Sequence, residues 1–368
     1  MSRNRPTLGT YSPLPGSPSG IADYAVTSSL LLDTMLDVRF IAMSNYTDPM
    51  SFDHVLYHMG GGPDSVAAFQ AAARRPGPII LHEHVLNQFF VENHGLLDAA
   101  TNQVVLDAFS EALGRPFRDS AELADLIERD RHLQYLDLGL ERLVADRATV
   151  VFTHSRTALA TLARRYGHDL VHPVEYPVLP LPHIDSDQVR ADLGIPATAT
   201  LFGSFGFVGR HKRLPQLMAA WSKLQVAPDV GWLLVAGSGA SRLGPVNNAS
   251  ITLLEYVKSG DDFLHLLAAA DAGIQLRGPS LGETSAVIAQ LLTSNVPVIT
   301  STESVLPMWA SRELVRIVPP GPREVDELAD VIAGYLSSLP IGSGRLADAP
   351  VPSWRESVLN ALSTEANS

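Results

Sequence analysis

The stretch Arg277-Gly-Pro-Ser-Leu-Gly-Glu-Thr-Ser285, followed by Ala-Val-Ile-Ala-Gln-Leu-Leu, lies between two short apolar runs. These runs, Ala272-Gly-Ile-Gln-Leu276 and Val296-Pro-Val-Ile299, are typical of buried strands, so the stretch predicts a turn that begins an apolar helix. A turn of this kind presents unpaired backbone amides, which favour an anion. Because Arg277 adds a cation and Glu283 an acceptor for hydroxyl groups, the stretch suits a phosphorylated sugar.

The length and composition of the chain limit its class. With 368 residues it is expected to form two domains of roughly 150 to 200 residues. A net charge of -12 argues against nucleic acid as a partner, and the absence of cysteine excludes disulfides, thiolate metal ligands and a cysteine nucleophile. The sequence has no signal-like apolar segment and no run of about 18 uncharged apolar residues, so we expect a cytoplasmic protein without a transmembrane segment. Peripheral membrane contact and the oligomeric state stay open.

Strand-like and helix-like runs alternate on both sides of a proline-rich stretch, Val171–Pro182. This alternation predicts an α/β fold of two doubly wound, Rossmann-like domains that face each other across a cleft. The predicted domains are 1–182, for the acceptor, and 183–352, for the nucleotide sugar. A terminal helix within 353–368 could pack back on the first domain.

His82-Glu83-His84 follows a predicted strand, Pro78–Leu81, in the first domain. Because ligands bind beyond the carboxyl ends of strands in open parallel sheets, these residues are candidates for substrate contact. His82 and His84 also resemble a metal-binding pair, but no nearby residue completes the ligand set, so a metal is not predicted. A buried core histidine is the alternative interpretation of His82.

Two further turns precede predicted helices. Ser19 and Gly20 end a proline-rich loop and could place an amide against a phosphate or sugar; an ordinary helix cap is the alternative. In the second domain a glycine-rich turn within Thr200–Arg213 ends in three cations and a histidine. Lys212 lies at the start of a helix, where a cation is unfavourable, and this mismatch favours a functional role.

Several motifs, in this order along the chain, resemble family 4 glycosyltransferases. They are Pro-Ser-Gly-Ile-Ala-Asp-Tyr at 18–24, Leu-His-Glu at 81–83, Thr-His-Ser at 153–155, Phe-Gly-Phe-Val-x-x-x-Lys-Arg at 205–213 and Ala-Ala-Ala-Asp-Ala-Gly-Ile-Gln-Leu-Arg-x-Pro-Ser-x-Gly-Glu-Thr-Ser at 268–285. The resemblance implies the GT-B fold and a metal-independent transfer of sugar from a nucleotide-diphosphate sugar, with retention of anomeric configuration. It covers most of the chain, and the last motif is its most specific part.

The resemblance also implies roles for individual residues. Lys212 would neutralise the diphosphate, Glu283 would hold a hydroxyl of the donor sugar, and His82 would lie over that sugar near the reacting centre. The donor-binding residues would further include Ser19, Gly20, Gly206, Arg210, Arg213, Tyr256, Val257, Lys258, Arg277, Gly282, Thr284 and Ser285. The acceptor, a small molecule or saccharide, would contact Asp23, Glu83 and His84. No cofactor is implied, since lysine and arginine take the place of a divalent cation.

The sequence departs from the family pattern at two places. Gln290 and Leu291 stand where a second, ribose-binding glutamate is usual, and residues 204–207 lack the basic residue that usually precedes the lysine. Arg210 or Arg277 could substitute for that residue. An isomerase or phosphorylase on the same scaffold and a non-catalytic nucleotide-sugar-binding protein are the alternative functions. The donor base, the sugar and the acceptor stay open.

Overall fold

The chain folds into two α/β units, each with its own parallel sheet. The computed structural model describes residues 5–178, 181–182, 184–244, 248–255, 260–302, 305–342 and 353–365. The first unit contains the residues up to Pro177, the short segment Leu281–Thr284 and the C-terminal helix, and the second contains the rest. The division after Pro177 differs from the predicted boundary at residue 182.

The first unit has a six-stranded sheet in the order β2-β1-β3-β4-β5-β6, with all strands parallel. Its strands are β1 (Thr7–Tyr11), β2 (Asp37–Ile41), β3 (His54–Met59), β4 (Gly77–Leu81), β5 (Ala148–Thr153) and β6 (Val171–Pro173). Its helices are α1 (Gly20–Ser29), α2 (Val66–Arg74), α3 (Asn87–Glu92), α4 (Ala99–Leu113), α5 (Ser120–Arg129), α6 (Arg142–Ala145), α7 (Arg156–Tyr166) and the C-terminal helix (Trp354–Glu365).

Local sequence signals explain where the helices of the first unit begin and end. The Asp98 carboxylate accepts a hydrogen bond from the Thr101 backbone at the start of α4, and Gly114 ends that helix with a φ of 63°.

The core beneath the sheet is apolar and aromatic; Phe69, Phe89 and Phe90 meet edge to face with ring centroids 5.0 to 5.6 Å apart. This packing fixes α3 directly after the carboxyl end of β4.

The second unit has a parallel sheet in the order β12-β11-β10-β7-β8-β9. Its strands are β7 (Thr200–Phe205), β8 (Gly231–Ala236), β9 (Ile251–Leu254), β10 (Ala272–Gln275), β11 (Val298–Thr300) and β12 (Val315–Ile317). Its helices are α8 (Ser186–Asp192), α9 (Leu214–Leu224), α10 (Gly260–Ala269), α11 (Ala286–Thr293) and α12 (Glu324–Ser337).

The strand order places a topological switch point in each sheet. In the first unit the chain changes direction across the sheet between β1 and β3, and in the second between β7 and β10. At such a point the loops after the two central strands diverge and leave a crevice, which is where doubly wound sheets bind ligands. The loops that follow β7 and β10 are the ones that contain Lys212 and Arg277.

One part of the first unit differs from the expectation, and the C-terminal helix lies where the sequence allowed for it. The proline-rich stretch predicted as a connector contains β6, which pairs with β5 and completes the sheet. The C-terminal helix packs against β3 and β4, and the buried Trp354 indole donates to the Tyr24 hydroxyl at 2.6 Å. A strand of three residues that includes a proline has too little periodicity to be found from sequence.

Candidate functional site

The buried side chain of Lys212 lies at the carboxyl end of β7. Its ammonium donates to the Phe205 carbonyl at 2.7 Å, and the residue is only 7% exposed. Gly206 has a φ of +93°, and a Cβ atom at that position would lie 3.0 Å from the Lys212 Nζ. A glycine is therefore needed here both for the backbone conformation and for the close approach of the ammonium group.

Lys212 and Arg277 lie near the same imidazole. Burial, the largest cause, and the positive charges of Arg277 and Lys212 together lower the pKa of His211 to about 4. The Gly278 amide donates to the His211 carbonyl at 3.0 Å, which joins the loop after β10 to the loop after β7. The structure thus brings two predicted donor-binding cations together around a neutral histidine at the β7/β10 switch point.

Arg213 forms an ion pair within the second unit, and its role in donor binding stays a prediction. Its Nε donates to the Glu324 Oε1 at 2.6 Å, and its Nη2 donates to the other carboxylate oxygen. Glu324 is 1% exposed, so this ion pair neutralises a buried charge at the start of α12. Arg210, by contrast, is exposed on the same loop.

Ser285 caps helix α11, and its polar groups are already used within the second unit. Its hydroxyl accepts from the Ile288 amide at 3.4 Å, and its own amide donates to the Val305 carbonyl at 3.0 Å. A contact between the Ser285 amide and a diphosphate would have to replace the hydrogen bond to Val305, and this contact stays a prediction. Gln290 lies on α11 and is half-buried.

The segment Leu281–Thr284 belongs to the first unit by its contacts. The amides of His84 and Val85 both donate to the Leu281 carbonyl, at 3.1 and 3.2 Å. Gly282 has a φ of +88°, and a Cβ atom there would lie 1.9 Å from the His84 Nδ1. Gly282 is thus required to pack against the buried His84 ring, and the acceptor contact of His84 stays a prediction. Thr284 is half-buried.

The predicted site residues in the first helix of the first unit are accessible. Ser19 is half-buried, and Gly20 and Asp23 are exposed. The Ser19 side chain makes no capping hydrogen bond to α1, although its carbonyl accepts from the Asp23 amide at 3.2 Å. Open space surrounds Gly20 where a Cβ atom would lie. The predicted nucleobase-binding residues Tyr256, Val257 and Lys258 lie outside the described residues.

His82 follows β4 and contacts a cluster of buried rings. Its Nε2 lies 3.2 Å from the His58 Nδ1, and its backbone amide donates to the Met59 carbonyl at 2.8 Å. The Tyr24 ring meets it edge on, with centroids 4.6 Å apart, and the His154 centroid lies 6.1 Å away. Burial lowers the pKa of His82 well below 6.5, with a further contribution from His58 and His154. His82 itself is partly exposed, so it can contact a ligand as a neutral imidazole.

Glu83 is held beside a second carboxylate. Its Oε2 accepts from the Gly61 amide at 3.1 Å, at the end of β3. Burial raises the pKa of Glu83 to about 8, the charge of Glu283 raises it as well, and the Gly61 hydrogen bond opposes the shift. Glu283 accepts from the Leu281 amide at 2.9 Å. Two of the predicted site residues therefore form an interacting carboxylate pair within the first unit.

The sequence assigned no role to three histidines of the site: His58, His154 and His211. Burial lowers the pKa of His58 to about 3 and that of His154 to about 4. His58 lies in β3, two residues before a run of three glycines, and His154 directly follows β5. Position at the carboxyl end of consecutive parallel strands was the signal that could have grouped them with His82.

Two kinds of feature are absent from the described ranges, with their gaps. No group of three or more histidine or acidic side chains there is arranged to hold a metal ion. No helix among those residues combines the length and the apolar character needed to span a membrane.

Comparison with solved structures identifies the architecture. HepE from Anabaena, solved with UDP, has a TM-score of 0.55 and 14% identity, over 99% of this chain and 97% of that one. Sucrose-phosphate synthase from Thermosynechococcus elongatus has 0.52 and 18%, over 99% and 97%. A putative UDP-N-acetylglucosamine 2-epimerase from Listeria monocytogenes has 0.52 and 11%, over 99% and 94%. No protein-family model and no curated protein matches the chain. At these identities the likeness shows the fold alone, and that fold is GT-B, as the sequence predicted.

Proposed function

We propose that the protein is a retaining glycosyltransferase that transfers sugar from a nucleotide-diphosphate sugar to a small-molecule or saccharide acceptor. One observation carries the proposal: two largely buried cations, Lys212 and Arg277, lie around His211 at the β7/β10 switch point. A diphosphate bound at this place would interact with both positive charges, at the position where doubly wound sheets take nucleotides.

The chemistry of sugar transfer needs charge stabilisation at the leaving group. As the bond between the sugar and the diphosphate breaks, negative charge grows on the diphosphate oxygen and positive charge on the sugar. Fixed donors aimed at that oxygen stabilise the transition state without reorganising, and each is typically worth about 3 to 4 kcal/mol. Lys212 and Arg277 would supply this stabilisation without a divalent cation, so we propose that transfer is independent of metal.

His82 and Glu283 would bind the sugar through hydrogen bonds. His82 is partly exposed and stays neutral at pH 7, so it would donate or accept a hydrogen bond rather than act as a cation. Glu283 would accept from a sugar hydroxyl. UDP-glucose is the first donor to try, because the GT-B structure of HepE has been solved with UDP and with UDP-glucose.

Turnover with nucleotide sugars tests the proposal. The purified protein would be incubated with UDP-, GDP- and ADP-sugars and a panel of saccharide acceptors, and release of nucleoside diphosphate would be measured. We expect Lys212→Met to lower kcat by about 100-fold or more, since it removes one charged donor from the leaving group. Lys223→Met is the matched control, because Lys223 is exposed on α9 and pairs with the exposed Asp326.

The same assay also tests the stereochemistry of the transfer and its dependence on metal ions. The anomeric configuration of the product, read by proton NMR, must match that of the donor if the enzyme is retaining. Activity must persist in EDTA, and strict dependence on added Mg²⁺ or Mn²⁺ would contradict metal independence. Nucleotide binding without release of diphosphate from any donor would instead indicate a non-catalytic binding protein.

The carboxylate pair favours one second candidate, a nucleotide-sugar isomerase. Glu83 has a pKa raised to about 8 and lies near Glu283, so the pair could hold and move a proton near neutral pH. An isomerase would change the configuration of the sugar without an acceptor. NMR of a nucleotide sugar incubated with the protein in D₂O separates the two functions, because only isomerisation by proton removal exchanges a sugar hydrogen for deuterium.

A further inference from the structure

Strand β3 holds His82 at two points. The backbone amide of His82 donates to the Met59 carbonyl at 2.8 Å, and its Nε2 lies 3.2 Å from the Nδ1 of His58. His58 is 0% exposed, and its ring lies nearly parallel to that of His82, with 18° between the planes. The one ring nitrogen of His82 that remains for a ligand is therefore Nδ1.

With both rings neutral, one proton lies between the Nδ1 of His58 and the Nε2 of His82. The ring that carries this proton decides whether the Nδ1 of His82 is a hydrogen-bond donor or an acceptor. If His82 donated from Nε2, His58 would have to accept at Nδ1 and carry its own proton on Nε2. That Nε2 atom is buried and has no hydrogen-bond partner in the part of the chain that the structure describes. A buried N–H group without an acceptor is rare in native proteins and costs about 1 to 3 kcal/mol.

The neighbouring His154 shows which histidine tautomer is compatible with the surroundings of this cluster. Its Nδ1 lies 3.1 Å from the Val174 carbonyl, and because a carbonyl only accepts, the proton must be on that Nδ1. The Nε2 of His154 is then an unprotonated nitrogen that is buried without a partner among the described residues. The Nε2 atom of His58 is likewise buried without a partner among the described residues. The tautomer of His58 that is protonated on Nδ1 therefore costs less free energy than the one that is protonated on Nε2.

We propose that His58 is a positioning residue that donates its Nδ1 proton to the Nε2 of His82 and so fixes His82 as the tautomer protonated on Nδ1. In this tautomer the lone pair of His82 is occupied by His58. His82 then offers a ligand an N–H donor and cannot act as a general base through Nδ1. Burial lowers the pKa of both rings, which keeps them neutral around pH 7.

The consequence for substrate rests on the proposed function. An N–H donor at Nδ1 recognises an oxygen that accepts, such as a sugar hydroxyl or ring oxygen of the donor. It would leave proton removal from the acceptor hydroxyl to another group. His58 would thereby set the chemistry of the site without touching the substrate.

The tautomer of His82 is measured directly by long-range ¹H–¹⁵N NMR on ¹⁵N-histidine-labelled protein at pH 7. His154 serves as the internal reference, and His82→Gln assigns the His82 signals by their loss. We expect a protonated Nδ1 and an unprotonated Nε2 for His82. Protonation on Nε2, on both nitrogens or on a mixture of the two overturns the proposal, whether or not the protein turns over any nucleotide sugar.

Two variants of His58 separate positioning from simple packing. In His58→Asn the side-chain amide keeps an N–H donor close to the position of Nδ1, so the His82 tautomer and the rate should stay near wild type. In His58→Phe the donor is lost, so His82 should become a tautomer mixture and kcat should fall about tenfold, the worth of one hydrogen bond, with KM little changed. An unchanged His82 tautomer in His58→Phe overturns the proposal; if that variant does not fold, the wild-type and His58→Asn spectra still decide it.

Discussion

Removing the charge of Arg213 should destabilise the second unit without weakening donor binding. Arg213 binds the Glu324 carboxylate through two N–H groups, and Glu324 is 1% exposed while Arg213 is 20% exposed. Breaking a buried ion pair by removing one partner typically costs about 3 to 5 kcal/mol, because the remaining charge stays buried. Because water reaches part of the Arg213 side chain, we expect Arg213→Met to lower the free energy of unfolding by about 3 kcal/mol, near the lower end of this range.

Urea unfolding followed by tryptophan fluorescence measures this cost. Three of the four tryptophans, Trp221, Trp232 and Trp309, lie in the second unit, so the signal reports chiefly on that unit. The double variant Arg213→Met with Glu324→Leu removes both charges and should return to within about 1 kcal/mol of wild type, since apolar side chains often replace a buried pair without loss.

Arg323→Met is the matched control on the same helix boundary. Arg323 is 84% exposed and pairs with Glu327 at 3.1 Å, so its loss should cost no more than about 0.5 kcal/mol. The structural role of Arg213 is refuted if Arg213→Met costs no more than this control. It is equally refuted if the folded Arg213→Met protein loses affinity for UDP by tenfold or more, which a donor-binding residue would do.

Two other changes have expected outcomes. The pKa values of His58 and His154 are lowered in the native state to about 3 and 4, so the unfolded chain takes up protons first as the pH falls below 6.5. The contribution of these histidines to stability is therefore full above pH 6.5 and lost below it, by about 1.4 kcal/mol per histidine at pH 5.5. Urea unfolding at pH 7.5 and 5.5 measures this, and the change in unfolding free energy between the two pH values should differ by about 1.4 kcal/mol between His58→Asn and the wild type. Gly206→Ala introduces a Cβ atom 3.0 Å from the Lys212 Nζ at a φ of +93°, so we expect a backbone cost of about 1 to 3 kcal/mol and weaker UDP binding by calorimetry. A Gly206→Ala protein of normal stability and affinity would show that the ammonium has room to move.

The sequence predicted the fold well because both units depend on local patterns. Alternating apolar runs and glycine turns mark β7 and β10 and the helices that follow them, and these elements lie close to their predicted positions. The strand β6 was missed because its three residues, which include Pro173, carry no period. Membership of Leu281–Thr284 in the first unit was also unpredictable, since it depends on contacts between residues far apart in sequence.

The candidate site was predicted in part. Lys212 and Arg277 were predicted as site residues because each is a cation near a strand end or a helix start. The structure brings both close to His211. Arg213 looked equivalent in sequence, and only the buried partner Glu324, which is 111 positions away, reveals its different role. His58 was not predicted as a site residue, because the alternation of side chains along β3 does not show that the His58 ring contacts the ring of His82.

Calorimetric titration with nucleoside diphosphates tests the assignment of the diphosphate site to Lys212 and Arg277. UDP, GDP and ADP would be titrated into the wild-type protein, Lys212→Met and the control Lys223→Met. We predict that at least one of them binds the wild-type and control proteins alike and binds Lys212→Met at least tenfold more weakly. Equal binding by all three proteins, or no binding of any nucleoside diphosphate to the wild type, would contradict it.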